Sequence, residues 1–533
     1  MSESSKNYYI TTAIDYANGL PHLGHALEKV GADAVARYRR GRGGNVHFVI
    51  GMDEHGQNVL QSAQESGITP NEWVDGIAEH FRDAWRTLSI SHDDFIRTTQ
   101  DRHHRAVREM VRRLEASGDL YTDTYSGYYC VRCEAYKTED ELVPAGDGED
   151  GSGQAGATGE DGPADGDSRE GLRCPLHPSR EIQWMEEENW FFRLSRYRDP
   201  LLELLEERPD FILPEIRRNE ILRVLEGGLD DISVSRSRLP WGVPWPDDQE
   251  QTVYVWLDAL TNYLSAIGFP DEGYEEFWPA DVHVIGKDIT RFHCIYWPAF
   301  LMSAGLPLPK LVWVHGFVTY GGRKMSKSEG VTFDLDEAVE RHGPEALRYY
   351  LLREVPWNGD GDITRERFDE RYTAELANDL GNLASRVLAM IERYRDGVIP
   401  AGTPTELRDR GRLAVEEYRA VMDEHLLHKG IEVARGLTSV ANGFVESRAP
   451  WERSKEEKES GEESDALSAT LADLAWALAV LASLNHPFLP GKMDSLAHRL
   501  GLESVPDLDA LPDLDLEGNE VDRGEPLFPR PDL

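Results

Sequence analysis

Cysteine, basic side chains and long hydrophobic runs are all scarce in this sequence. Four cysteines among 533 residues are too few for a disulfide framework. Lys and Arg number 57 against 97 Asp and Glu, a net charge of −40 that disfavours nucleic acid as a partner. The most apolar helical stretch, Leu474–Ala482, is far shorter than the roughly 20 residues that cross a bilayer, so we expect a buried helix and no membrane partner. Nothing in the N-terminal MSESSKNYYITTA resembles a secretory signal, which predicts a cytoplasmic protein.

The excess of acidic residues has a second interpretation. An acidic surface keeps a protein hydrated in concentrated salt, where the Debye length falls to roughly 3 Å at 1 M. Such salt also weakens phosphate contacts, so a polyanion would be held by local basic clusters, stacking and shape. We therefore expect a halophilic source, and the net charge leaves nucleic-acid binding open.

Strand-like and helical segments alternate in the first part of the chain. Strands are predicted at Tyr9–Ala13 and Val46–Ile50 with a helix over Leu27–Arg40 between them, a pattern typical of a parallel sheet. Further strands are predicted at Val253–Leu257, His283–Gly286 and Leu311–Val314. An insertion therefore divides the sheet, and its residues 146–171 are so rich in Gly, Asp and Glu that we expect a solvated loop.

The last part of the chain is predicted to be helical. After about residue 366, helical periodicity covers Leu376–Tyr394, Gly411–Val445 and Ala466–Leu484, and Glu456–Glu463 is expected to be a charged surface loop. The fold class is therefore α/β, with a Rossmann-like parallel sheet split by an insertion and followed by an α-helical bundle. The expected domains are 1–116 for the first half of the sheet, 117–229 for the insertion, 230–330 for the second half, 331–365 for a linking segment and 366–533 for the helical domain.

Residues 19–26, GLPHLGHA, follow the first strand and open the first helix. His22 and His25 are three apart and share a helical face, next to backbone N–H groups that lack an intrahelical partner. Gly24 leaves room for a ligand to approach the backbone, and Pro21 can begin the helix without losing a donor. The pattern predicts a phosphate site. By itself it is more typical of an ordinary strand-to-helix turn with two surface histidines.

A second cluster, GGRKMSKS at residues 321–328, combines a glycine turn with cations and hydroxyls. Mobile lysines near a triphosphate can follow the charge that builds on departing pyrophosphate. Together in one α/β chain, HLGH and KMSKS resemble the two signatures of class I aminoacyl-tRNA synthetases. The resemblance implies binding of ATP, accompanied by Mg²⁺, at His22, Gly24, His25, Lys324, Ser326 and Lys327. It implies that the catalytic groups are His22, His25, Lys324 and Lys327.

The resemblance narrows to methionyl-tRNA synthetases and covers nearly the whole chain. AIDYANG at 13–19 and GMDEHG at 51–56 resemble two blocks of that family. In the family, the carboxylate that matches Asp53 holds the substrate's ammonium, and a carboxylate at the end of a parallel strand lies where open α/β sheets bind ligands. From the sequence alone, Asp53 could also be a helix N-cap. Asp15 stands where the family often carries Pro or an aromatic residue.

A pocket for methionine must accept an unbranched thioether, which aromatic faces and edges suit well. Residues 255–263, VWLDALTNY, resemble the family's pocket-forming strand and turn, and residues 286–297 resemble its second wall. The resemblance assigns to methionine binding Ile14, Tyr16, Asp53, Trp256, Ala259, Tyr263, Ile289, His293 and Trp297. Any one of these aromatic residues could equally fill a core. Cys294 is expected to be a buried, small apolar residue.

The other cysteines form a CxxC…CxxH set of Cys130, Cys133, Cys174 and His177. Four soft ligands in two tight pairs suit tetrahedral zinc with no open position, which predicts one structural zinc ion in the insertion. The first pair alone could be a redox dithiol, but the second pair disfavours that function. The resemblance supports zinc, because the family carries such a knuckle in its connective insertion.

In the helical domain, GNLASR at 381–386 and APW at 449–451 resemble the family's anticodon-reading positions. Asn382 and Arg386 lie four apart and can donate to base edges or phosphate, and an exposed Trp451 can stack an unpaired base. Without the resemblance, a polar helix face and a core tryptophan are the simpler interpretations.

The resemblance implies a methionine–tRNA ligase that uses ATP, L-methionine and tRNA(Met). Arg236 lies in another block similar to the family and is a candidate substrate contact of unassigned role. The alternatives are a class I synthetase for another amino acid, a related adenylyl transferase, and a catalytically silent tRNA-binding paralogue. Because the sequence ends soon after the helical domain, where longer members of the family carry a further module, we expect a monomer.

Overall fold

The computed structural model describes residues 7–130, 135–137, 141–144, 172–175, 177–237, 239–324 and 333–530. The predicted loop 146–171 lies outside these ranges. In chain order the strands are β1 Asn7–Thr12, β2 Asp15–Tyr16, β3 Asn45–Asp53, β4 Asp94–Arg97, β5 Leu120–Cys130, β6 Ala135–Lys137, β7 Val143–Pro144, β8 Leu172–Cys174, β9 His177–Glu181, β10 Gln183–Phe192, β11 Ile212–Leu213, β12 Ile232–Ser233, β13 Ser235–Arg236, β14 Thr252–Val253, β15 Val282–Gly286, β16 Val312–His315, β17 Val318–Tyr320, β18 Arg323–Lys324 and β19 Gly361–Ile363.

The α-helices follow the same order along the chain. They are α1 Leu23–Arg40, α2 Gln57–Ser66, α3 Pro70–Thr87, α4 Asp101–Ala116, α5 Arg198–Glu207, α6 Glu215–Glu226, α7 Val255–Leu260, α8 Asn262–Ser265, α9 Trp297–Ser303, α10 Leu335–His342, α11 Pro344–Glu354, α12 Arg365–Arg371, α13 Asn382–Tyr394, α14 Glu406–Asp423, α15 Leu427–Arg448, α16 Pro450–Ser460, α17 Asp465–Asn485 and α18 Pro490–Arg499. Wider π-helical turns precede α9 and α13, at Phe292–Tyr296 and Tyr372–Gly381.

A seven-stranded sheet forms the centre of the first part of the molecule. Its order is β11-β16-β15-β1-β3-β2, with β4 also paired to β3, and every pairing is parallel. Successive side chains alternate between two hydrophobic cores, as Tyr9 and Ile10 do on β1. Burial on both faces is typical of parallel sheets, and the predicted split Rossmann-like sheet is confirmed.

The insertion between the two halves of the sheet has its own antiparallel sheet. Strands β5 and β10 pair over their full length, from Leu120 opposite Phe192 to Tyr129 opposite Gln183, and β12 and β6 flank them in the order β12-β10-β5-β6. A smaller sheet has the order β7-β8-β9. The insertion therefore forms antiparallel sheets of its own, separate from the parallel sheet.

Three predicted elements differ from the structure. Val253–Leu257 was predicted as a strand, but only Thr252–Val253 pairs and the chain turns into α7 at Val255. A short apolar run fits a buried helix as well as a strand, so periodicity could not separate the two. The predicted helix Gly411–Val445 is two helices, divided at His425 with φ 59°. The predicted loop at Glu456–Glu463 is helical as far as Ser460.

The helical bundle shares a core with one face of the sheet. A single hydrophobic cluster includes Ala26 of α1, Leu347 of α11 and Leu474 of α17. Helix α17 is long and apolar enough to cross a membrane by composition, but 94% of its apolar window is buried inside the protein. The predicted buried helix over Leu474–Ala482 is thus confirmed.

A buried ion pair joins the first helix to the bundle. The Arg348 guanidinium on α11 donates to Asp33 of α1 at 2.7 Å, and both side chains are fully buried. The same guanidinium donates to the carbonyls of Leu88, Pro487 and Phe488. One side chain therefore links α1, the end of α3 and the segment between α17 and α18.

Candidate active site

A cavity of about 390 Å³ opens where the carboxyl ends of β1, β3, β15 and β16 meet. This edge is where open α/β sheets bind ligands. Of the residues predicted to bind ATP or methionine, those that line the cavity are Ile14, Tyr16, His22, Gly24, His25, Asp53, Trp256, Ala259, Tyr263, Ile289 and His293. The structure therefore brings the two predicted sites into one space.

The His22 side chain closes the first turn of α1. Its Nδ1 accepts hydrogen bonds from the backbone N–H groups of Gly24, at 3.1 Å, and His25, at 3.3 Å. His22 is thus the N-cap, and Pro21 precedes the cap instead of beginning the helix as predicted. Because Nδ1 accepts, a neutral His22 ring carries its proton on Nε2 and can donate it to a ligand.

Gly24 lines the cavity, and its lack of a side chain also makes room for the His22 ring. A Cβ built on Gly24 would lie 3.0 Å from Cε1 and Nδ1 of His22. The glycine therefore leaves room for the imidazole to fold back onto the helix end, and the geometry around His22 depends on it.

Gly24→Ala is expected to displace His22 from the helix end. We expect the predicted activation of methionine by ATP, measured as ATP–pyrophosphate exchange, to slow by about tenfold, and the free energy of unfolding to fall by about 1 kcal/mol with the lost cap. Gly76→Ala on α3 is the matched control, since a Cβ there meets nothing within 4 Å. Unchanged exchange in Gly24→Ala would contradict this role of the glycine.

The His25 ring stacks on the His22 ring at the N-terminus of α1. The ring centroids are 3.6 Å apart with an interplanar angle of 15°, and the Phe81 ring also packs against His25 with centroids 5.3 Å apart. Burial, with the neighbouring His22 and Lys29 adding to it, lowers the pKa of His25 well below its usual value. The structure thus holds a neutral imidazole where a phosphate would favour a charged one.

Behind the histidines lies a buried ion cluster that the sequence analysis missed. Lys29 Nζ donates to Asp15 at 2.8 Å, to Glu28 at 2.7 Å and to the Ala13 carbonyl at 2.8 Å. Glu28 in turn contacts His315 at 3.2 Å. Burial raises the pKa of Asp15 to about 7 although Lys29 opposes that shift. A lysine on the buried face of the first helix was the signal in the sequence.

Asp53 ends β3 and lines the cavity. The following helix, α2, has Gly56 as its N-cap with no side-chain cap, so the alternative interpretation of Asp53 as a helix cap is wrong. Tyr16 lies opposite Asp53 in the pairing of β2 with β3, which places both at the same edge of the sheet. Asp53 thus lies where β3 reaches the cavity.

The far wall of the cavity is aromatic. Tyr263 and His293 Nε2 are hydrogen-bonded at 2.6 Å, while His293 Nδ1 donates to the Ile289 carbonyl at 3.1 Å. Burial lowers the pKa of His293 to about 4, so the ring is neutral and Nε2 accepts from the tyrosine hydroxyl. Trp256 stacks on Phe292 with centroids 3.6 Å apart and rings 5° from parallel.

Two predicted substrate contacts lie away from the cavity surface. Trp297 is fully buried, packs edge-on against Tyr263 at 6.0 Å and donates to His283 at 3.3 Å. Trp297 therefore supports Tyr263 from behind. The Arg236 guanidinium lies over the Tyr254 ring at 4.4 Å and is absent from the cavity lining. Cys294 is buried, and burial raises its thiol pKa, which confirms the expectation of a small apolar residue.

The second motif begins in a tight hairpin at the cavity rim. Strands β17 and β18 are joined by Gly321 and Gly322, with φ of 58° and 76°, a conformation that favours glycine. Val318 at the start of β17 lines the cavity. For Lys324 the structure describes only the main chain, and Ser326 and Lys327 lie outside the described residues.

Two family profiles match the chain, and together they cover most of it. The profile of tRNA synthetases class I (M) matches residues 8–388, and that of the anticodon binding domain of methionyl tRNA ligase matches residues 398–528. The chain belongs to the class I methionyl-tRNA synthetases.

Individual methionyl-tRNA synthetases agree with this assignment. The methionine–tRNA ligase of Thermotoga maritima is 41% identical over 98% of this chain and 80% of its own length. That of Brucella suis is 41% identical over 99% of this chain and 98% of its own. The solved structure of Mycobacterium tuberculosis methionyl-tRNA synthetase in complex with methionyl-adenylate matches with a TM-score of 0.89 at 38% identity, and the match covers 98% of this chain and 100% of that one.

The bundle of this methionyl-tRNA synthetase carries the three predicted anticodon residues on its surface. Asn382 begins α13 and donates to the Asn378 carbonyl at 2.9 Å. Arg386 pairs with Glu446 near the end of α15 at 2.6 Å. Trp451, in the first turn of α16, is 41% exposed, so the interpretation of it as a core residue is wrong.

Two of the four predicted zinc ligands of the synthetase are buried cysteines. Cys130 ends β5, and Cys174 ends β8 directly opposite His177 in a tight antiparallel pair. Cys133 lies outside the described residues, and His177 is described by its main chain. Within the ranges that the structure describes, no three His, Cys, Asp or Glu side chains form a metal-holding group.

Proposed function

We propose that this protein is a methionine–tRNA ligase that forms methionyl-adenylate from L-methionine and ATP and transfers methionine to tRNA(Met), including the initiator tRNA. The observation that carries this conclusion is the shared cavity. One wall presents His22 and His25 at a helix N-terminus, and the opposite wall is aromatic. An anion site and an apolar pocket that meet in one space suit a reaction between a nucleotide phosphate and an apolar amino acid.

The first step is in-line attack of the methionine carboxylate on the α-phosphorus of ATP, with pyrophosphate as the leaving group. The protein needs no covalent nucleophile and acts by positioning and charge stabilisation. We assign to His22 the donation of its Nε2–H to an ATP phosphate. We assign to Asp53 the binding of the methionine ammonium group. Lys324 and Lys327 are assigned to the departing pyrophosphate, with Ser326 beside them. Mg²⁺ bound to ATP supplies further charge neutralisation on the phosphates.

The methionine side chain is assigned to the aromatic wall. Trp256 and Tyr263 offer ring faces and edges to a thioether, and Ile14, Ala259 and Ile289 complete an apolar lining. His293 is neutral and fixed by two hydrogen bonds, so it orients Tyr263 without placing a charge in the pocket. Tyr16 also lines the cavity and is assigned to orient the substrate through its hydroxyl, and Trp297 acts from behind Tyr263.

The alternative functions meet specific objections in the structure. A synthetase for another amino acid would keep both signatures and change the aromatic wall. A silent tRNA-binding paralogue would have no reason to keep the His22 geometry or a cavity at the sheet edge. An adenylyl transferase would need no anticodon-type bundle, and residues 398–528 match that bundle.

Amino-acid-dependent exchange of pyrophosphate into ATP tests the proposed function. The measurement is made without tRNA, in molar potassium chloride, with each of the twenty amino acids in turn. We expect methionine alone to drive the exchange. Exchange with another amino acid would contradict the pocket assignment, and no exchange in any salt would overturn catalysis altogether.

We also propose one structural zinc ion per chain, held by Cys130, Cys133, Cys174 and His177. The buried cysteines at two strand ends and the CxxC…CxxH spacing support this site. We expect inductively coupled plasma mass spectrometry to find one zinc per chain, and a Cys130→Ser variant to lose it. Because zinc-ligand sets contribute directly to folding, the variant should also unfold at a lower temperature. If the purified protein contained no zinc and all four of its cysteine thiols reacted with a thiol reagent, the proposed site would be wrong.

Other features of the proposed enzyme follow from its composition and organisation. The net charge of −40 supports adaptation to concentrated salt, with tRNA held by local contacts in the bundle. We propose the domain boundaries 116/117, 229/230, 330/331 and 365/366, although β11 of the parallel sheet falls inside the segment assigned to the insertion. We propose a cytoplasmic monomer, and size-exclusion chromatography with light scattering in molar potassium chloride would reveal a stable dimer if this were wrong.

A further inference from the structure

A buried carboxylate behind the methionine pocket joins three separate elements. Asp258 on α7 is fully buried, and both of its oxygens are hydrogen-bonded to imidazoles. Oδ2 lies 2.6 Å from His55 Nδ1, and Oδ1 lies 2.8 Å from His103 Nε2 on α4. The other nitrogen of His103 contacts Ser265 of α8 at 2.8 Å. Neither the two signature motifs nor the cavity lining contains these groups.

Each contact connects a wall of the pocket to its neighbour. His55 follows Asp53 by two residues at the end of β3. Asp258 stands between Trp256 and Ala259, which both line the cavity. Ser265 follows Tyr263 by two residues. The hydrogen bonds of Asp258 therefore connect segments that adjoin, along the chain, the groups assigned to the ammonium and the thioether of methionine.

The carboxylate is charged in spite of its burial. Burial opposes ionisation of Asp258, but His55 and His103 outweigh it and hold the pKa of Asp258 well below its usual range. Both contacts are thus charge-assisted hydrogen bonds, with an imidazole N–H donating to each oxygen. His55 also packs against Trp241, edge-on at 5.6 Å, and against His104 at 5.5 Å, so the imidazole that contacts Asp258 is itself packed.

We propose that Asp258 is a positioning residue for the amino-acid substrate, which fixes the α7–α8 wall of the pocket against Asp53 through His55 and His103. The inference rests on the proposed function. It assigns to this buried cluster the spacing between the ammonium site and the side-chain pocket. ATP binds on the other side of the cavity and does not depend on that spacing.

Asp258→Asn tests the proposal. An asparagine has the same shape but carries no charge, so neither hydrogen bond is charge-assisted any longer. Its amide group faces an imidazole N–H, so one of the two hydrogen bonds is lost altogether. We expect the KM for methionine in ATP–pyrophosphate exchange, and the Kd of methionine alone by calorimetry, to rise about 10- to 100-fold. The KM for ATP should change less than about threefold, because the substitution leaves the N-terminus of α1 and its two histidines unchanged.

A matched variant separates positioning from general destabilisation. Asp473 on α17 is also a fully buried carboxylate, and it pairs with Arg408 at 2.6 Å inside the bundle. Asp473→Asn should lower the unfolding temperature while leaving the KM for methionine at the wild-type value. An equal rise of that KM in both variants would overturn the proposal.

The link through His55 provides an independent test, which also serves if Asp258→Asn fails to fold. His55→Gln should raise the KM for methionine as Asp258→Asn does. The KM of the double variant should not exceed that of the single variant with the higher KM. If the KM increases of the two single variants multiplied in the double variant, the positioning role would be overturned. The same holds if either single variant kept the wild-type KM for methionine while the wild type exchanged normally. No exchange in the wild type would instead overturn the proposed function itself.

Discussion

His22→Asn is expected to slow methionine-dependent ATP–pyrophosphate exchange by about 100- to 1,000-fold with little change in the unfolding temperature. The His22 ring has two separate tasks. Its Nδ1 caps the helix by accepting from Gly24 and His25, and its Nε2–H is proposed to donate to phosphate. Asparagine is among the best N-caps, so the variant keeps the first task and loses the second. Incorporation of labelled pyrophosphate into ATP measures the rate.

His22→Ala is the companion variant. It removes both the cap and the donor, so it should be as slow as His22→Asn and also less stable by about 1 kcal/mol. Thermal unfolding of the two variants side by side gives that difference. Exchange at the wild-type rate in His22→Asn would mean that the ring serves the helix alone, and the assigned role at phosphate would be wrong.

Trp451→Ala is expected to lower kcat/KM for tRNA aminoacylation by about 10- to 100-fold while leaving pyrophosphate exchange unchanged. An exposed indole stacks an unpaired base with about 1–3 kcal/mol, and each 1.4 kcal/mol is tenfold in affinity. Leu413→Ala is the matched control, because Leu413 is an exposed apolar residue of the same bundle. Equal losses in both variants would contradict a specific contact at Trp451.

The pairing of Arg386 with Glu446 predicts the opposite effect from a second substitution. Glu446 neutralises Arg386 in the free protein, and its carboxylate would repel an approaching phosphate. Glu446→Gln should therefore strengthen tRNA binding a few-fold, most clearly at low salt, as measured by filter binding. Weaker binding would show that the pair holds Arg386 in its binding geometry.

The sequence was sufficient for features that depend on local order. The strands around His283 and Val312, the helix after His22, and the burial of Leu474–Ala482 follow from periodicity and flanking residues, and the structure agrees. The placement of His22, Asp53 and Tyr263 in one cavity came from a resemblance of motifs. Neither periodicity nor spacing would have joined Asp53 to Tyr263 without it.

Features that depend on distant partners were out of reach. His103 and Asp258 are 155 residues apart, and Glu28 and His315 are 287 apart, so no local pattern connects them. The fold-back of His22 depends on a ring rotamer, which a sequence pattern does not specify. The helix α7 was missed because its apolar residues face a cavity on one side and a core on the other, which hides the helical period.

The fully buried guanidinium of Arg348 bears on how this enzyme can be re-engineered. It is satisfied only when α1, the end of α3 and the segment after α17 are all in place. A bundle transplanted from a relative would have to bring carbonyls to the same points, or leave a charge stranded in an apolar interior. Chimeras that exchange the bundle alone should therefore express poorly, whereas replacing only the exposed side chains of Glu446 on α15 and Trp451 on α16 should be tolerated.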